Sequence, residues 1–64
     1  MVNEYVEYLK DALSQLRTYR GFIYGKYMSA KTPEEAEFLH QQLKQVDEII
    51  EDLEKLISEV VEYG

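Results

Sequence analysis

In the second half of the chain, Ala36, Leu39, Leu43, Val46, Ile50, Leu53, Ile57 and Val60 follow one another at alternating steps of three and four. On an α-helix this spacing lines the apolar side chains along one narrow stripe. A strand, with its period of two, would scatter them over both faces. No Gly or Pro interrupts the run before Gly64. The stripe is a heptad seam, and such a seam is stable only when another helix packs against it. The feature therefore predicts a long helix, from about residue 33 to about 62, that needs a partner.

The start of this helix is marked three times over. Thr32 suits an N-cap, because its hydroxyl accepts from a free N–H of the first turn. Pro33 falls at the first helical position, where a missing N–H costs nothing. Glu35 completes a Thr-x-x-Glu capping box. Residues 29–32 are then a short turn, and the first half supplies the partner. Val2, Val6, Leu9, Leu13, Leu16, Arg20, Ile23 and Tyr27 repeat the seam spacing, predicting a helix over about 3–28 with Asn3 as its weaker cap. Gly21 and Gly25 lie inside it, each costing about 1 kcal/mol relative to Ala, so a kink or fraying near residues 20–26 is open. Gly-x-x-x-Gly also packs membrane helices, but this segment is too polar for that. The expected fold is all-α: a single antiparallel helical-hairpin domain over 1–64.

With 64 residues, one small core is all the chain can build. Domains this small lean on disulfides, a metal or oligomerisation. There is no Cys and only one His, so disulfides and thiolate or histidine-based zinc sites are out, and oligomerisation is left. No apolar run approaches the roughly 20 residues of a membrane helix. The first residues, Met1-Val2-Asn3-Glu4, lack the order of a signal peptide. A cytoplasmic protein without a membrane partner is expected.

Pairing the seams across the turn puts Leu13 level with Val46, Leu9 with Ile50, Leu16 with Leu43 and Ile23 with Ala36. Heptad positions e then face each other, with Lys10 and Arg17 on one helix and Asp47 and Glu54 on the other. Exposed pairs of this kind contribute about 0.2–1 kcal/mol each, and so set register more than stability. The charge of the halves agrees: residues 1–31 carry five bases and three acids, residues 32–64 two bases and ten acids, within a net −6.

The opposite flank is apolar on both helices. Tyr5, Tyr8, Ala12, Tyr19 and Phe22 on the first match Phe38, Ile49, Leu56 and Tyr63 on the second. A lone hairpin cannot bury this side, so these nine residues form the predicted oligomer interface. The simplest occupant is a second copy, giving an antiparallel four-helix bundle with two-fold symmetry. A larger assembly or another helical protein are the alternatives.

Chemistry finds little purchase. The tyrosines fit amphipathic packing, with the ring covered and the hydroxyl at the rim; Tyr24, off the apolar arc beside Arg17, is the exception. Arg20 either pairs with a carboxylate across an interface or extends past Leu39 to solvent, and both readings stay open. His40 reads as a surface residue. Glu37 precedes it with Glu-x-x-His spacing, but the companion Glu of a di-metal bundle is missing. Glu48, Glu51, Asp52, Glu59 and Glu62 read as a solvated acidic face, in which Glu51–Lys55 is a favourable i,i+4 pair and Asp47–Glu51 and Glu48–Asp52 are repulsive. No catalytic residue, cofactor site or metal site is expected, and no enzyme.

Two functions remain in competition. The leading one is a non-enzymatic protein–protein interaction module: a small homodimeric hairpin acting as regulator or scaffold. The other is nucleic-acid binding through Lys10, Arg17, Arg20, Lys26 and Lys31 with Tyr24 interleaved; Arg17, Arg20 and Tyr24 are its partner-binding candidates. In form alone the chain resembles the small plasmid copy-number regulators that dimerise as helical hairpins and bind RNA, with no shared sequence motif. The acidic net charge weighs against nucleic acid.

Overall fold

A computed structural model describes residues 2–63, with side chains over 4–62. Two helices, α1 (Val2–Met28) and α2 (Pro33–Tyr63), pack against each other as a hairpin. The capping signals act at the start of α2. The Glu35 N–H donates to the Thr32 hydroxyl oxygen at 3.1 Å, and the Ala36 N–H donates to the Thr32 carbonyl at 3.0 Å. In return the Glu35 carboxylate accepts from the Lys31 N–H at 3.2 Å, one residue earlier than in the usual capping box. At the end of α1, Ser29 N–H reaches the carbonyls of Gly25 and Lys26, and Ala30 N–H that of Tyr27. The Ser29 hydroxyl adds a 2.9 Å bond to the Gly25 carbonyl. These bonds close the helix with no left-handed residue among those described.

α1 begins at Val2, so Asn3 lies within it and is not its cap; the Asn3 side chain is outside those described. The helix runs through Gly21 and Gly25 without a break. A Cβ at either glycine would meet nothing within 4 Å, so neither is there to let another segment of the chain approach.

From Val6 to Val60 every seam position is buried or half-buried, Arg20 included. Ile23, Leu43 and Val46 form the central cluster, with Tyr27, Leu39 and Ile50 packed against it. Val6, Leu9 and Leu13 carry the buried stripe toward the open end. The register differs from the expected one. Ile23 groups with Leu43 rather than lying level with Ala36, a displacement of one heptad along α2. Leu13 and Leu16 accordingly do not join Val46 and Leu43 in that cluster.

The core is thin: no described side chain is fully buried. The molecule measures 48 × 14 × 11 Å, with a radius of gyration of 14.8 Å. A compact chain of this length has roughly 11 Å. The hairpin is a rod with one layer of packing.

Candidate interaction surface

The two flanks of the seam are chemically opposite. On the polar flank, Arg17 pairs with Glu54 at 2.6 Å. Arg20 pairs within its own chain: its Nε donates to Asp47 at 2.5 Å, and its Cζ lies 5.9 Å from the centre of the Tyr24 ring. That is within cation–π range. The hydrogen bond to Asp47, followed by the Asp47 charge, pushes the Arg20 pKa further above its already high ordinary value. Lys10, expected to share Asp47 and Glu54 with Arg17, makes no ion pair among the described residues; the displaced register brings Asp47 beside Arg20 instead. Both pairs are solvent-exposed, where an ion pair adds little to stability.

The three residues proposed for partner binding are therefore gathered on one flank, but Arg17 and Arg20 already hold carboxylates of their own chain. His40 lies nearby, its ring 6.0 Å from that of Tyr27. Glu37 accepts from the Gln41 amide at 3.3 Å. Glu51 and Lys55 meet at 3.6 Å on the outer side of α2. Among the described residues no group of three or more His, Cys, Asp or Glu side chains could hold a metal ion.

The other flank is apolar and open. Tyr5, Tyr8, Tyr19, Phe22, Phe38, Ile49 and Leu56 are all exposed, Phe22 at 68% and Phe38 at 63%. Ala12 is half-buried beside them. Tyr63 ends α2, and its side chain is outside those described. Of the ten large hydrophobic residues exposed among those described, Tyr24, Met28 and Val61 lie elsewhere. The exposed apolar surface among the described residues is thus concentrated on one flank, which hints at an interface.

Near the turn this face is indented. A cleft of about 180 Å³ lies between the helices, lined by Tyr19, Phe22, Ile23, Phe38 and Leu39, with Lys26 and Gln42. A wider hollow of about 400 Å³ continues past Lys26, Ser29 and Glu35. Lys26 and Gln42 belong to the face by heptad position, being at g with Tyr19 and Ile49, but their polarity hides them from a search for apolar residues. Their aliphatic stems can cover apolar surface while the polar ends stay wet.

No described helix is long and apolar enough to cross a membrane. Comparison with protein-family models finds no match, and neither does comparison with curated proteins or with solved structures.

Proposed function

We propose that the chain is a non-enzymatic protein–protein interaction module that associates with a second copy through the apolar flank, closing a four-helix bundle that regulates or scaffolds another protein. The observation that carries this reading is the single apolar face formed by both helices. Area supports it. A compact protein of 7.6 kDa exposes roughly 4,300 Å², whereas this chain exposes 5116 Å². The excess, roughly 800 Å², equals what one partner contributes to an interface of standard size. The cleft between Tyr19, Phe22, Phe38 and Leu39 offers the hole that a bulky side chain of the partner would fill.

Against the nucleic-acid reading, two of its five cations are engaged by Glu54 and Asp47. Sedimentation equilibrium tests the leading reading. A dimer is expected at micromolar concentration; a stable, cooperatively folded monomer there refutes it.

A further inference from the structure

Two hairpins can close a four-helix bundle about a two-fold axis in two ways. If the axis is perpendicular to the helices, the turns lie at opposite ends, and α1 packs on the partner's α1 and α2 on the partner's α2. If the axis runs along the bundle, both turns lie at the same end, and each α1 packs on the partner's α2. Every adjacent pair is antiparallel in both arrangements, so helix dipoles do not choose between them.

Charge does. The acids of the chain are concentrated on α2, which carries ten against two bases, while α1 carries three against four bases. The asymmetry extends onto the apolar face itself. Along the arc of heptad positions c and g, α2 bears Glu35, Asp52 and Glu59, whereas α1 bears Lys26 and no acid. All four are exposed, and Asp52 and Glu59 make no ion pair among the described residues. On α1 the same arc presents Tyr5, Tyr8 and Tyr19, whose hydroxyls can donate to a carboxylate. Packing α2 on the partner's α2 sets the two acidic helices 8–10 Å apart. The other arrangement moves them to the diagonal, roughly 1.4 times as far apart, where screening weakens their repulsion further, and gives each an α1 free of acids on that face.

We infer that the two copies associate with both turns at one end, each α1 lying against the partner's α2. This rests on the homodimer reading above and specifies the surface that the second copy meets. The four helices then alternate around the bundle between the acidic and the slightly basic, and the Phe22–Phe38 ends of both hairpins come together.

The test uses the whole chain. It contains no cysteine, so Lys31→Cys in the exposed turn carries a single nitroxide label. The Lys31 backbone N–H, not its side chain, makes the contact with Glu35, so the cap survives the substitution. Pulsed electron–electron double resonance between the two copies should give a separation of about 20–30 Å, the 8–10 Å between packed axes plus two label arms. A separation near the 48 Å length of the hairpin overturns the arrangement while leaving the dimer in place. Absence of dipolar coupling, with a monomer mass by sedimentation of the same labelled sample, overturns the dimer and the arrangement together.

Discussion

Phe22→Ser separates folding of the hairpin from its association. In the hairpin 68% of Phe22 is exposed, so its loss removes little from the monomer. A phenylalanine offers roughly 200 Å², which leaves roughly 140 Å² in water. Covering that area would contribute about 3.5 kcal/mol at 25 cal/mol/Å², and two-fold symmetry counts it twice. Interfaces recover only part of such sums, because ordering and imperfect desolvation oppose them. A loss of about 2–4 kcal/mol per dimer is expected, or a dissociation constant raised roughly 30- to 1,000-fold. Sedimentation equilibrium over a concentration series reads this directly. Met28→Ser is the control: Met28 is 65% exposed but lies off the apolar flank, and its loss should leave the constant within about threefold. Equal weakening by both substitutions, or by neither, refutes the assignment of the face.

Three further outcomes follow from the local structure, each read by thermal unfolding at fixed protein concentration, since association shifts the midpoint. Thr32→Ala removes the hydroxyl that accepts from Glu35 and should cost about 1 kcal/mol, lowering the midpoint by about 4–8 °C for a chain this small. Gly21→Ala and Gly25→Ala should each stabilise α1, by up to about 1 kcal/mol, because an added Cβ meets nothing within 4 Å; a drop in midpoint would mean that something covers that outer surface. Asp47→Asn breaks an exposed pair with Arg20 and should lower the midpoint by less than Thr32→Ala does, a loss that shrinks as salt is raised.

Periodicity and capping chemistry are local, and they were legible. Thr32, Pro33 and Glu35 mark the start of α2, and the heptad steps identify the stripe from Val6 to Val60 that is withdrawn from solvent. The apolar flank was equally readable, since Tyr5, Tyr19, Ile49 and Leu56 reach it by heptad position alone. Pairwise partners were not. That Arg20 turns to Asp47 rather than to open solvent depends on which turn of α2 lies opposite it, and that is a property of the whole hairpin. Gly21 and Gly25 left the continuity of α1 open. Their cost is intrinsic, but the long seam on either side holds α1 continuous through both, as tertiary packing commonly overrides propensity.

The register explains most of what could not be read. Two heptad seams can mesh only at positions one heptad apart, so counting back from the turn leaves two candidates: Ile23 opposite Ala36, or Ile23 opposite Leu43. The turn, 29–32, is the expected one and its midpoint alone lies nearer the first. One effect favours the second. Side chains lean toward the N-terminus of their own helix, so each covers surface about one position behind its Cα. In an antiparallel pair the two leans are opposite, and together they advance the contact along α2. The observed cluster of Ile23 with Leu43 and Val46 is the outcome. It brings Asp47 within reach of Arg20 and draws the seam out to Val60, which is half-buried where the tighter register would leave it overhanging. The same shift leaves Phe38 beside Tyr19 and Phe22 around the cleft, so the exposed apolar flank is shaped by the register as much as by composition.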